Sequence, residues 1–177
     1  TWGVDYGLLG ADGALLGPPY HYRDSRNDGM MEIAFARVPR EELYARTGIQ
    51  FLPFNTLFQL LADKTMHPAL LDAAQTLLFM PDLLSYRLTG LRRSEHSIAS
   101  TSQAYDAATG HWDTDLLERL GLPTRILPEV APSGSILGPL QPTLADATGL
   151  GSVPVIAPAC HDTGSAVAAV PAEGERW

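Results

Sequence analysis

The chain's patterning predicts an α/β fold with a helical insertion, on three observations. Strand-like alternation opens the sequence at Val4, Tyr6 and Leu8. Helical segments that begin at proline or a capping residue and end at glycine occupy the middle. An apolar run over 153–159 then passes abruptly into a small-residue helical segment from Gly164 to Val170. Strands and helices mix without steady βα alternation, so the helices read as an insertion. At 177 residues the chain is long enough for one domain with a real core, and 1–177 is read as that single domain.

Taken in order, Val4, Tyr6 and Leu8 alternate with Asp5 and Gly7, and Asp12-Gly13 supplies the turn of a hairpin before Ala14-Leu15-Leu16. The polar stretch 20-YHYRDSRNDG-29 follows. Pro39 opens a helix through Arg46 that Gly48 closes. Asn55 is placed to cap a helix carrying Leu57, Phe58, Leu60 and Leu61. A second helix is predicted from Pro68 to Leu78, with Leu70, Leu71, Ala74, Leu77 and Leu78 on one face. A third starts at Pro81-Asp82 and ends at Gly90. Residues 94–106 are rich in hydroxyls and lack strong periodicity. Asp113 caps a helix over 114–120, with Gly121 beyond it. A short strand is expected around Ser135-Ile136-Leu137, a short helix over 143–148, and a buried strand over 153–159.

Charge narrows the partners. A formal net charge of -8 argues against nucleic acid and anionic membranes and favours a small neutral or polar ligand. No window approaches the apolar length of a membrane span, and Thr1–Asp5 carries no leader pattern. Cys160 is the only cysteine, which excludes an internal disulfide and points to a reducing cytoplasm. It reads more simply as a small buried hydrophobe than as a nucleophile. Lys64 is the only lysine, and no GxxxxGK[ST] loop is present. His67, His96 and His111 lack metal-ligand spacing, so no metal site is expected. The cluster 97-SIASTS-102 lacks the glycines of a nucleophile elbow.

Chemistry concentrates where 153-VPVIAPAC-160 meets 161-HDTGSAVAAV-170. A strand end followed by a helix start is where α/β folds place ligands. Asp162 there suits a general base accepting a proton from a bound hydroxyl, and equally suits a plain helix N-cap, the simpler reading of the spacing alone. His161 would orient a ligand hydroxyl or serve structurally. Arg23 and Asp24, among aromatics, suit a hydroxyl-rich ligand or a solvated loop with surface ion pairs. Gly3 permits close backbone approach to a ligand or relieves a bend.

The strings TWGVDYGLL, HYRDSR, ELYARTGIQFLPFNTLFQL, MPDLLSYRLTG and ACHDTGSAVAAVPA together, in this order, resemble the FGGY family of carbohydrate kinases. Within it they are most similar to the branch acting on L-rhamnulose. The resemblance spans nearly the whole chain. It implies a ribonuclease-H-like fold of the actin-like ATPase superfamily, and transfer of the γ-phosphoryl of Mg-ATP to a ketose. The ketose would be L-rhamnulose, or a similar one such as L-fuculose or L-ribulose. It also implies that Asp162 is the catalytic base and that Gly3, His161 and Thr163 contact the sugar.

The resemblance is to the later part of the family's sugar-binding domain. Its acidic-glycine phosphate loop and its C-terminal ATP-binding domain have no counterpart in these 177 residues. The expectation is therefore that this chain alone is inactive, and that Mg2+ and ATP are bound mainly by other parts of a parent protein. The strand over 153–159 is expected to present an unpaired edge open to self-association. A non-catalytic sugar-binding module is the alternative from another functional class.

Overall fold

The computed structural model describes residues 1–174; positions 175–177, counted in the single domain expected over 1–177, lie outside the described residues. β1 (Tyr6–Leu9) is buried along its whole length, so burial on both faces replaces the expected in-out alternation. The hairpin turn forms at Asp12-Gly13, but Leu9 and Leu15 make only one bridge. α1 (Met30–Phe35), which the sequence did not announce, is entered from Gly29 at φ 78°. α2 (Arg40–Thr47) follows Pro39 and ends at Gly48 in the left-handed conformation, as its punctuation predicts.

α3 (Thr56–Met66) is the central helix, and every residue from Thr56 to Asp63 is buried. Asn55 stands at its N-cap position, yet its amide donates to the Gln50 carbonyl and the Gln103 side chain. The free N–H of Leu57 is taken instead by the carbonyl of Ser102. Asp63 pairs with Arg26 in the core, and the Tyr6 hydroxyl donates to the same carboxylate at 2.5 Å. Arg26 thus parts company with Arg23, its neighbour in the polar stretch.

One expectation is overturned next. The helix predicted to reach Leu78 stops early, as α4 (Pro68–Ala73), and β2 (Thr76–Phe79) takes the remainder. β2 runs antiparallel to β1, with Tyr6 opposite Phe79 and Leu9 opposite Thr76. Leu77 and Leu78 satisfy a helical stripe and a doubly buried strand equally. The buried edge of β1 decides between them, because its N–H and C=O groups need partners. α5 (Met80–Thr89) starts at once and ends at Gly90, φ 77°.

β3 (Ser94–Glu95) leads into α6 (His96–Ser100), and β4 (Tyr105–Asp106) pairs with β5 (His111–Trp112). α7 (Thr114–Arg119) is capped by Asp113, whose carboxylate accepts the Leu116 N–H. β6 (Val130–Ala131) pairs in parallel with β3. β7 (Ser135–Pro139), α8 (Pro142–Thr148), β8 (Pro154–Ala157) and α9 (Asp162–Ala168) complete the described residues. The main core joins α1, α3, α6 and α7 to β1 and β2 through Met30, Phe58, Ile98, Leu116 and Phe79.

The strand expected to be buried over 153–159 is shorter and mostly exposed. Only Ala157 of β8 is buried, and Ile156 is 53% exposed. Apolar composition says that a strand can be covered, not that anything covers it. β8 pairs antiparallel with β7, Ile136 opposite Ile156, and its other edge has no ladder partner among the described residues. Among the described residues it belongs to a two-stranded antiparallel pair and not to a parallel sheet. No helix among the described residues is long and apolar enough to cross a membrane.

Candidate functional site

The backbone folds back on itself at Gly3–Asp5. Val4 has φ 66°, and the Asp5 N–H donates to the Gly3 carbonyl at 2.9 Å, which is the rare γ-turn of positive φ. A β-branched residue in this conformation stores on the order of 1–3 kcal/mol. The start of α3 holds it there. The Thr56 hydroxyl and the Gln59 amide donate to the Val4 carbonyl at 2.7 and 3.3 Å. Val4 and Asp5 turn inward, and Trp2 is left 42% exposed.

Asp5 is 1% exposed and accepts from the Trp2 indole at 2.7 Å, the Gln59 amide at 3.1 Å and the Tyr22 backbone N–H at 3.2 Å. One buried carboxylate thereby ties the turn to the loop carrying Tyr22 and Arg23. Between them lies a cleft of about 220 Å³ lined by Trp2, Gly3, Tyr22, Arg23, Phe54 and His161. Tyr22 packs edge-on against Phe54, and Arg23 lies over the Tyr22 ring with its Nε donating to the hydroxyl at 3.2 Å. Aromatic faces with one guanidinium suit a ligand that has apolar ring faces and hydroxyl edges. A larger depression of about 570 Å³ around Arg40, Tyr44 and Phe51 contains none of the candidate residues.

The strand-to-helix junction forms the cleft's far wall. His161 occupies the N-cap position of α9 and Asp162 its first turn, so the reading of Asp162 as the cap is corrected by one residue. The first helical bond runs from the Ser165 N–H to the His161 carbonyl, 2.8 Å. Asp162 Oδ1 accepts the Thr163 N–H at 2.7 Å and lies 3.2 Å from His161 Nε2. Its side chain is 62% exposed, and Oδ2 accepts no hydrogen bond among the described residues. One oxygen is anchored and the other is open. Gly3 sits against the imidazole: a Cβ there would lie 3.0 Å from His161 Nε2.

Behind the junction lies a residue that the sequence reading missed. Glu95, 1% exposed, is the N-cap of α6. Its carboxylate accepts from the N–H groups of Ser97, Ile98 and Cys160 at 2.8, 3.1 and 3.1 Å, and from the hydroxyls of Ser97 and Ser133. Burial works to raise its pKa, but those donors outweigh burial and hold it below the usual carboxylate range. Its own N–H donates to Asp82 Oδ1 at 3.0 Å. Asp82 is the opposite case: burial pushes it up to about 7, and its Oδ2 has no partner. The Cys160 thiol is pushed up to about 12, first by burial and then by Glu95 and Asp82. A thiol raised this far is poorly suited to act as a thiolate nucleophile, which favours the small-hydrophobe reading.

Of the residues singled out in the sequence, Gly3, Arg23 and His161 line the cleft and Asp162 adjoins it through His161. Asp24 does not line it; its carboxylate caps a single 3-10 turn by accepting the Arg26 N–H at 2.9 Å. Thr163 does not line it either and serves Asp162 through its N–H. Sequence reasoning missed Phe54 and the bracing roles of Asp5 and Glu95. The only signal for Glu95 was an acid placed just before the hydroxyl-rich run 97-SIASTS-102. Among the described residues, no group of three or more His, Cys, Asp or Glu side chains is placed to hold a metal ion.

Residues 1–169 match the profile of the FGGY family of carbohydrate kinases, N-terminal domain. The rhamnulokinase of Bacteroides thetaiotaomicron is 49% identical over 97% of this chain, and that of Oceanobacillus iheyensis 44% identical over 97%. In both cases the chain spans 36% of the relative's length. A solved carbohydrate kinase from Novosphingobium aromaticivorans superposes with a TM-score of 0.79 at 30% identity, over 94% of this chain and 35% of that one. The architecture described above is therefore the one shared with a piece of that larger enzyme.

Proposed function

The chain belongs to the FGGY family of carbohydrate kinases, and from that premise we propose that it is the later part of the sugar-binding domain of an ATP-dependent ketose kinase. Its fold is a part of the ribonuclease-H-like, actin-like ATPase architecture with a helical insertion, as the sequence predicted. L-Rhamnulose is the proposed substrate, supported by the name carried by relatives at 44–49% identity. L-Rhamnulose 1-phosphate is then the product. Use of ATP and a lone reduced cysteine agree with a cytoplasmic setting.

The observation that carries this reading is the open Oδ2 of Asp162 beside a cleft walled by His161, Gly3 and aromatic rings. The sugar stacks on the rings, Arg23 and His161 orient its hydroxyls, and the reacting hydroxyl faces Asp162. Its oxygen attacks the γ-phosphorus while its proton passes to the Asp162 carboxylate. The new O–P bond replaces the bond to ADP, which leaves. The Thr163 N–H and His161, both on Oδ1, keep that carboxylate aimed. α9 has only seven residues, so those specific donors matter more than any helix dipole. Positioning dominates phosphoryl transfer, which asks the protein for little covalent chemistry.

Mg2+ would neutralise charge on the triphosphate. Following the family resemblance, the metal and the nucleotide are assigned mainly to parts of the parent protein outside this chain.

The test is ATP-dependent turnover of L-rhamnulose, L-fuculose and L-ribulose by the natural full-length protein and by its Asp162→Asn variant. L-Rhamnulose should give the highest kcat/KM, and the variant should lose on the order of a hundredfold or more in kcat. A variant with near-normal kcat would overturn the base assignment. These 177 residues alone should show no turnover, and measurable turnover would refute the assignment of ATP to other parts.

A further inference from the structure

We propose that Glu95 is a positioning residue for this reaction, holding the Cys160–His161 backbone so that the Asp162 carboxylate faces the cleft. The proposal rests on the reading of Asp162 as the base. Among the described residues α9 buries none of its own positions, so within this chain the helix that carries Asp162 is held through polar contacts and not through apolar packing. The Thr1 backbone supplies one tether, its amino group donating to the Cys160 carbonyl and its carbonyl accepting the Asp162 N–H, both at 2.9 Å. Two consecutive junction N–H groups converge on Glu95: Cys160 donates directly to Oε2 at 3.1 Å, and His161 donates to Ser97 Oγ at 3.4 Å. Ser97 Oγ in turn donates to Glu95 Oε2 at 2.5 Å.

Glu95 is itself immobilised. Its backbone is paired with Ala131 through β3 and β6, its N–H is bound to Asp82, and Ser133 donates to Oε1. A carboxylate this deeply buried is tolerated only when its oxygens are saturated with donors, and these are. The residue type also argues for more than a cap. An N-cap needs only to reach the N–H groups of Ser97 and Ile98, which Asp, Ser or Thr does with a shorter side chain. The longer glutamate reaches Cys160, across 65 positions of sequence.

The decisive variant is Glu95→Asp in the natural full-length protein. It retains the charge and a good cap for α6 but withdraws the carboxylate from Cys160. The expected result is a loss of kcat on the order of 10- to 100-fold, with KM for ATP held within about twofold. The backbone amide resonances of Cys160 and His161 should shift while those of α3 stay in place. Glu95→Gln should lose at least as much kcat, because its amide turns an N–H toward groups that are already donors. Should it fail to fold, Glu95→Asp still decides. A Glu95→Asp protein with wild-type kcat, or with unmoved Cys160 and His161 resonances, overturns the proposal. If the wild-type protein phosphorylates no ketose, the kinase reading fails, and the resonances still report whether Glu95 holds the junction.

Discussion

Replacing Asp5 by asparagine should destabilise the protein and loosen the cleft, although the substitution changes almost no volume. Asp5 accepts three N–H donors, from Trp2, Gln59 and Tyr22. An asparagine can present its oxygen either to Gln59 or to the Trp2 and Tyr22 pair. The second orientation is the cheaper one, because it keeps two bonds and sets the new NH2 group against one donor. Gln59 cannot turn its amide to relieve this, since its Oε1 accepts from Arg26 at 3.2 Å and its Nε2 already serves Phe54 at 2.9 Å. Opposing that donor costs about 1 kcal/mol or more, and the two surviving bonds each lose about 1 kcal/mol as they become neutral. Relief from burying a charge offsets part, leaving about 2–3 kcal/mol. For a chain of this size that lowers Tm by about 4–12 °C. Thermal melts of Asp5→Asn, with Asp12→Asn as an exposed control, measure it; Asp12 serves only a turn N–H at Ala14. The indole N–H resonance of Trp2 should move in the first variant only. An Asp5→Asn protein that melts within about 1 °C of the wild type would refute this reasoning about the buried carboxylate.

Gly3→Ala should act on function more than on stability: its Cβ would meet His161 at 3.0–3.1 Å, so the ring must give by a few tenths of an ångström and its 3.2 Å contact with Asp162 changes. The expected outcome is roughly a tenfold fall in kcat/KM for the sugar with Tm nearly unchanged, measured by coupled kinase assay and melting. Asp82→Asn should change the pH dependence of stability. The folded state holds the Asp82 proton up to about 7, against 3.8 for the ordinary group, so the wild type loses stability as pH rises through that window. The variant does not, and its Tm relative to wild type should climb from pH 5 to pH 8, by an amount worth at most about 3 kcal/mol. A difference that stays flat over that range would sink the assignment.

What the sequence determined by itself was local or cumulative. The ends of α2, α5 and α7 were legible because Pro39, Gly48, Gly90 and Asp113 act within a turn of where they stand. The family was legible because many strings recur in one order, and no single one of them was needed. The tertiary structure decided whatever depended on partners distant in the chain. Leu77 and Leu78 became strand because β1 lay unpaired beside them. The run over 153–159 stayed half in solvent because nothing among the described residues covers it. Asp162 moved from cap to first turn, which left one of its oxygens open. Asp5 and Glu95 look in sequence like any other acids, and their roles exist only where the fold gathers donors from other segments around them. A side chain's type limits the hydrogen bonds it can make, and the path of the whole chain chooses among them.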